Sequence, residues 1–170
     1  NGSDDARRQA VWALYSYQQH SRGGARDERA TELIVRALTD PDPIVRSFAL
    51  HILAEVVTPV PTDQLFEGLN DPSADVRSTA AKSLAKHKHV EAIPVLIGLL
   101  QDFSAVSNGQ PVAHDAAEAL AELATPESLD AARTYWLHFL DQTGSWELLR
   151  SSELERAVRG LRYVDDEHSI

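Results

Sequence analysis

The sequence predicts an all-α protein, a right-handed α-solenoid of about five stacked helix pairs. Residues 40–53 and 71–84 repeat one another in register, with Asp, Pro, Val, Arg, Ser, Ala and Leu at matching places. Apolar residues recur in both with the spacing of one helix face, and no segment shows the alternation of a strand. One helix pair cannot bury its apolar face alone, so neighbouring pairs must stack.

Further copies extend the repeat along the chain. The copies of the longer helix begin at Ala6, Val45, Val76, Val112 and, more weakly, Glu153. Asp42-Pro43 and Asp71-Pro72 place a proline near the start of a helix, where it is tolerated. Shorter apolar-periodic segments predict the partner helices, at residues 30–38, 62–69, 90–100 and 129–140. Tyr135 and Trp136 fall in the last of these, and we expect them to be core residues.

The composition limits the function classes. The chain has 170 residues, a formal net charge of -10 and no cysteine. Without cysteine, disulfide bonds, thiolate metal ligands and a cysteine nucleophile are impossible. The acidic balance argues against nucleic acid as a partner, because phosphate binding depends on clustered lysine and arginine. The acidity is concentrated after residue 101, which favours a partner protein with a basic surface.

The domain organisation we expect is one repeat array over residues 4–163. Residues 1–3 would be a cloning remnant, and residues 164–170 a disordered acidic tail. No apolar run approaches the roughly 18 residues of a transmembrane segment, and the polar start is unlike a signal peptide. We therefore expect a cytoplasmic protein that does not bind membranes.

The spacing Asp-Pro-(x)3-Val-Arg-(x)2-Ala-(x)3-Leu in residues 40–53 and 71–84 resembles HEAT-like repeats. The resemblance is to the short-period type found in phycobilisome lyase-like proteins, and it covers roughly residues 4–161. It implies an α-solenoid whose longer helices line a concave face. Proteins of this kind are mostly scaffolds.

An aspartate–arginine ladder between adjacent repeats is also implied by the resemblance. It would pair Asp40 with Arg46 and Asp71 with Arg77. A cation in the first turn of a helix opposes the helix dipole, which independently favours a carboxylate partner over ligand binding. Ala113 stands where the next arginine would be, so we expect the ladder to be interrupted there.

A row of side chains on the longer helices predicts a partner-binding groove. Residues two and six places after each apolar anchor project together, away from the predicted core. Trp12 supports an interface, because tryptophan is enriched at binding surfaces. An ordinary polar surface is the alternative. The groove residues are Arg8, Trp12, His51, Lys82, His114 and Glu118, with Ser47 and Ser78 completing the row.

A metal site is the sharpest catalytic alternative. His114 and Glu118 share a helix face and could both ligate a metal. Deoxyhypusine hydroxylases are HEAT-repeat enzymes that resemble this arrangement, with His-Glu pairs at this repeat position in several copies. The other copies here carry Arg8-Gln9, Ser47-Phe48 and Ser78-Thr79, and none of these pairs can bind iron. We therefore expect no metal, no cofactor, no catalytic residue and a function different from that enzyme.

The leading hypothesis is a non-catalytic adaptor that presents a concave helical groove and the loop at residues 102–111 to a partner protein. The alternative is a phycobilisome lyase-like enzyme subunit, or a factor that handles bilins or phycobiliproteins, as the resemblance implies. Nucleic-acid binding ranks third. It is favoured only by one arginine group, made of Arg7, Arg8, Arg22, Arg26 and Arg29.

Overall fold

The computed structural model describes residues 2–20, 28–56 and 62–142, and its regular elements are helices. The chain divides into two compact units, residues 1–83 and 84–170. The first contains α1 (Gly2–His20), α2 (Glu28–Ala37), α3 (Pro43–Val56), α4 (Thr62–Gly68) and most of α5 (Ala74–Lys86). The second contains a 3-10 turn (Val90–Ala92), α6 (Ile93–Leu99), α7 (Val112–Leu123) and α8 (Pro126–Gln142).

Short and long helices alternate from α1 to α7, as the predicted helix pairs require, but α8, expected as a shorter partner helix, is longer than α7. On α3, the four predicted core residues Val45, Ala49, Ile52 and Leu53 are all buried. The equivalent residues of α5 and α7 are buried as well. The all-α class with α-solenoid repeats is thus confirmed. The prediction succeeds because the helical spacing of apolar residues is the strongest signal in such a sequence.

The first long helix, α1, departs from the predicted pattern. Ala10 and Ala13, which the repeat alignment assigns to the core, are exposed. Val11 is buried instead, in a cluster with Ile34 and Val45. The helix is therefore rotated relative to the alignment. Ala10 and Ala13 line an open groove of about 710 Å³ between α1, α2 and α3.

The aspartate–proline turns explain where α3 and α5 begin. The Asp42 carboxylate accepts the Ile44 N–H at 3.0 Å, and the Asp40 carboxylate accepts the Asp42 N–H at 2.8 Å. Asp71 repeats this arrangement by accepting the Ser73 N–H at 2.8 Å. Each carboxylate satisfies a backbone donor that a helix start leaves without an intrahelical partner.

A close helix contact in the first unit requires glycine at Gly68. A Cβ atom added there would lie 2.8 Å from Leu50 Cδ2 and 3.0 Å from Ala80 Cβ. Real Cβ atoms do not approach so closely, so the last residue of α4 must be small for this packing.

The loop at residues 102–111, in the second unit, is ordered by its own backbone. Ala105 and Pro111 form an isolated antiparallel bridge, and the Val106 N–H donates to the Gln110 carbonyl oxygen at 2.8 Å. Gly109 has a φ of +83°, a conformation that glycine adopts without strain. Val106 is buried, so the loop is anchored against the unit by an apolar side chain.

Several expectations stay predictions. The weak repeat copy at residues 153–161 and the acidic tail at 164–170 lie outside the described residues. The single array over residues 4–163, its handedness and the cloning remnant at residues 1–3 are likewise untested. None of the helices in the described ranges is long and apolar enough to cross a membrane.

Candidate functional site

The predicted ladder exists in the first unit, but with different partner atoms. Arg46 binds the Asp71 carboxylate through two hydrogen bonds, Nε to Oδ2 at 2.9 Å and Nη2 to Oδ1 at 2.8 Å. Both side chains are 14% exposed. The expected pairs Asp40–Arg46 and Asp71–Arg77 do meet, yet each arginine donates to the backbone carbonyl oxygen of that aspartate, at 2.8 and 2.7 Å.

The correction has a geometric cause. An aspartate that caps its own turn already directs its carboxylate towards backbone N–H groups. The arginine six residues on reaches the carbonyl oxygen of the same aspartate. The carboxylate oxygens can still accept hydrogen bonds from the arginine of the preceding repeat, which binds the carboxylate as a bidentate pair.

One repeat earlier the same pattern recurs. Arg7 Nε lies 3.0 Å from Asp40 Oδ2, and Arg8 Nε donates to Asp42 Oδ2 at 2.7 Å. Arg8 was predicted to line a groove, but its guanidinium holds the turn before α3. The ladder therefore runs from α1 through the turns that precede α3 and α5.

These ion pairs shift the titration of their members. The hydrogen bond from Arg8 lowers the pKa of Asp42 below its ordinary value of 3.8. Burial alone raises the pKa of Asp71, but the hydrogen bonds from Arg46 and from the Ser73 N–H offset this, and its net pKa is lowered. The hydrogen bond to Asp71 raises the pKa of Arg46. All three groups are charged at neutral pH.

The predicted polar row is only partly exposed. Trp12, His51 and Lys82 are exposed, and Glu118 is half-buried. Ser78 and His114 are buried, so the expectation that they project away from the core is wrong. The residue two places after the anchor lies at the edge of the buried helix face. Ser47, at the same place, is half-buried and shares a 2.8 Å hydrogen bond with Thr79.

His114 lies in a cluster of aromatic side chains from α8. Its Nδ1 shares a 2.8 Å hydrogen bond with the Tyr135 hydroxyl. The rings of Trp136 and Phe139 meet the imidazole edge to face, with centroid distances of 5.0 and 4.7 Å. Trp136 has no exposed surface, which confirms it as a core residue, and burial raises the pKa of Tyr135 to about 12.

This cluster does not fit a metal site. Nδ1 of His114 faces a phenol, and ring carbons of two other side chains pack against the imidazole. In the part of the chain that the structure describes, no group of three or more His, Cys, Asp or Glu residues could hold a metal ion. A metal needs several converging donors, and a single buried histidine does not supply them.

A second aromatic group lies on the surface of the first unit and was not predicted as a group. Trp12 and Tyr15 come from α1, and Phe48 and His51 come from α3. We call these four residues the aromatic cluster. The predicted groove contains Trp12 and His51 but leaves out Tyr15 and Phe48. The available signal was that each missed ring lies three residues from a residue already selected, on the same helix face.

The rings of the aromatic cluster are in mutual contact. The centroids of Trp12 and Phe48 are 4.6 Å apart, with an interplanar angle of 33°. Tyr15 stands at 83° to Trp12 with a centroid distance of 6.1 Å, and lies 5.9 Å from Phe48. Tyr15 and Phe48 are packed against the core, whereas Trp12 is 59% exposed.

Comparison with known families agrees with this architecture. A family model described as HEAT repeats matches residues 62–138. Residues 62–138 therefore form HEAT repeats. The crystal structure of an engineered protein superposes on it with a TM-score of 0.57 and 20% sequence identity, covering 94% of this chain and 73% of that one. At that identity the likeness concerns the fold alone.

Sequence relatives of the chain are enzymes. It is 36% identical over 111 residues to the deoxyhypusine hydroxylase of Gallus gallus, with 64% of this chain and 36% of the relative covered. It is 34% and 32% identical to the enzymes of Mus musculus and Bos taurus, with 64% of this chain and 35% of each relative covered. The chain therefore spans about a third of the length of these curated relatives.

These relatives overturn the leading functional hypothesis. A non-catalytic adaptor was expected, but the matched proteins are hydroxylases, so that expectation was wrong. The phycobilisome lyase-like alternative named a different enzyme and is overturned with it. The missing His-Glu pairs argue against the iron site of deoxyhypusine hydroxylases, yet the chain is 32–36% identical to these enzymes over 110 or 111 residues. Two proteins can share a repeat fold without sharing metal-binding residues, because such residues occupy only a few positions of the fold.

Proposed function

We propose that the protein takes part in the enzymatic modification of a lysine-derived side chain, and that its described residues bind this substrate. The single observation that carries the proposal is the 32–36% identity to three deoxyhypusine hydroxylases. Deoxyhypusine, from which those relatives take their name, is a lysine derivative whose amino groups are protonated at neutral pH.

The charge of the chain supports binding of such a substrate. The net charge of -10 attracts a cationic side chain, and a basic protein that carries one, from a distance. Packed helix pairs also hold exposed side chains in defined positions, so that binding orders little of the protein.

The donor set argues against a hydroxylase metal centre in the described residues. His114 is enclosed by aromatic rings, and the corresponding residues of the other copies are Arg8, Ser47 and Ser78. The role we propose for residues 2–20, 28–56 and 62–142 is substrate binding, and the oxygen-inserting chemistry belongs to groups outside them.

Titration calorimetry with three matched peptides tests the proposal. One peptide carries deoxyhypusine at a single position, and the others carry lysine or norleucine there. We expect the deoxyhypusine peptide to bind roughly tenfold more tightly than the lysine peptide, because it presents an additional amino group, and the norleucine peptide to bind least. Equal affinities for all three peptides, or no binding, would overturn the proposal.

Mass spectrometry of the same mixtures, with ferrous iron added, tests the assignment of roles. We expect no mass increase in the deoxyhypusine peptide. A gain of one oxygen atom, at a rate above that of iron alone, would show that the 170-residue chain carries the catalytic groups itself. That result would retain the enzyme class and contradict the assignment of the chemistry to groups outside the described residues.

A further inference from the structure

We propose that the aromatic cluster of α1 and α3 is the surface that receives the alkylammonium group of the substrate. This inference rests on the proposed function and names the residues that would carry it. The surface combines the outer face of an exposed indole with a phenol ring that stands nearly perpendicular to it. Aromatic faces attract cations because the ring quadrupole places negative charge above and below the ring.

The cluster has the rigidity that a binding surface requires. Phe48 and Tyr15 pack against the core residues of the first unit, and this packing holds their rings in place. Phe48 in turn supports Trp12 at a centroid distance of 4.6 Å. A ligand that meets Trp12 therefore has little side-chain freedom to remove, which favours affinity.

The exposure of Trp12 is not explained by packing alone. Phe103 is 67% exposed as well, but it lies in the 102–111 loop of the second unit. Trp12 instead extends a contiguous group of rings towards solvent. Contiguous exposed apolar groups with polar residues at their edge are typical of binding surfaces, whereas single exposed residues need no explanation.

The charges around the cluster favour a cationic ligand. Arg8, one helical turn before Trp12, is bound to Asp42 at 2.7 Å, so its positive charge is compensated there. An anionic ligand would meet the negative ring faces of Trp12 and Tyr15, which is unfavourable.

Replacement of Trp12 by an aliphatic or an aromatic residue separates cation binding from simple apolar contact. The affinity of Trp12→Leu for the deoxyhypusine peptide should fall roughly tenfold, since leucine keeps apolar area but has no ring face. Trp12→Tyr should stay within roughly threefold of the unsubstituted protein. Phe103→Leu is the matched control, because it makes the same kind of change at another exposed ring, and its affinity should not change.

Two further measurements complete the test. Thermal unfolding of each variant checks that the exposed substitutions leave the fold intact. The deoxyhypusine peptide should quench tryptophan fluorescence in the unsubstituted protein, and that change should disappear in Trp12→Tyr while binding remains.

The outcomes separate the inference from the proposed function. If the deoxyhypusine peptide binds and Trp12→Leu binds it equally well, the cluster is not the site and the proposed function stands. If lysine and deoxyhypusine peptides bind equally and both depend on Trp12, the alkylammonium surface stands and the proposed function is wrong. If no peptide binds, both are wrong.

Discussion

The helices α3 and α7 are equivalent in the repeat but are stabilised differently at their first turns. In α3, Arg46 follows the buried anchor Val45 and binds the carboxylate of Asp71. In α7, Ala113 follows the buried anchor Val112 and is itself fully buried. The first unit thus connects its repeats through ion pairs at the turns. The second relies on close packing at the equivalent place.

The reason lies in the segment before each helix. A short Asp-Pro turn precedes α3 and offers a carbonyl oxygen and a carboxylate to an arginine. The longer 102–111 loop precedes α7 and supplies backbone partners directly. The Ala113 N–H donates to the Asp102 carbonyl oxygen at 2.9 Å, and the Val112 N–H to the Ser104 carbonyl oxygen at 3.0 Å. A small residue suits a helix start that is covered by backbone.

The largest loss of stability is expected in the second unit, where close packing stabilises α7. Trp136→Ala removes a ring that has no exposed surface and that packs against His114. We expect a loss of about 3–5 kcal/mol in the free energy of unfolding, from lost burial and the remaining cavity. Urea unfolding followed by circular dichroism measures it. Leu137→Ala, one residue on and 51% exposed, should change stability by only about 0.5 kcal/mol.

Breaking the ladder should have an intermediate effect. Asp71→Ala leaves the largely buried Arg46 guanidinium without its carboxylate and removes the acceptor of the Ser73 N–H. We expect a loss of about 2 kcal/mol, and reduced hydrogen-exchange protection in α3. Asp71→Asn should lose less, since its amide oxygen can still accept the N–H. Asp63→Ala, at an exposed site, is the control. If Asp71→Ala matched that control, the ladder would contribute nothing measurable.

A smaller effect is expected from the polar contact inside the aromatic packing of α8. Tyr135→Phe keeps the ring and removes the hydroxyl that bonds to His114 Nδ1. The free energy of unfolding should fall by about 1 kcal/mol, because one intramolecular hydrogen bond is lost in a buried setting. Thr134→Ser, at the exposed neighbouring residue, serves as the control. An increase in the free energy of unfolding would show instead that the hydroxyl destabilises the packing around it.

The smallest effect on stability is expected from lowering the pH. Asp42 and Asp71 have lowered pKa values in the folded protein, so their stabilising contribution is fully present above the ordinary value of 3.8. It is lost as the pH falls through the lower, folded pKa. The urea midpoint should therefore decrease between about pH 5 and pH 3, and Asp71→Asn should show a shallower decrease. An identical decrease in both proteins would mean that Asp71 does not contribute.

Local sequence signals were enough to predict the helices and their starts. Residues 40–53 and 71–84 carry both the apolar period and the capping aspartates, which act within a few residues of themselves. The buried face of α3 was correct for the same reason. The prediction failed on α1, where the repeat pattern is weak and the alignment placed Ala10 rather than Val11 in the core.

The candidate site was only half visible in the sequence. Trp12 and His51 were selected because they occupy equivalent repeat positions, whereas Tyr15 and Phe48 became relevant only when α1 and α3 were seen to pack together. His114 was placed in the groove by its repeat position, but the rings of α8 enclose it. Contacts between helices decide such cases, and repeat numbering does not contain them.

The sequence by itself determined the helical period, the aspartate–proline turns and the excess of acidic residues, because each depends on neighbouring residues or on composition. The tertiary structure alone decided that Arg46 binds the carboxylate of Asp71 rather than that of Asp40. It also decided that Trp12 rests on Phe48 at the surface. Both depend on the distance between helices that are far apart in the chain, and that distance is set by packing of the core between them.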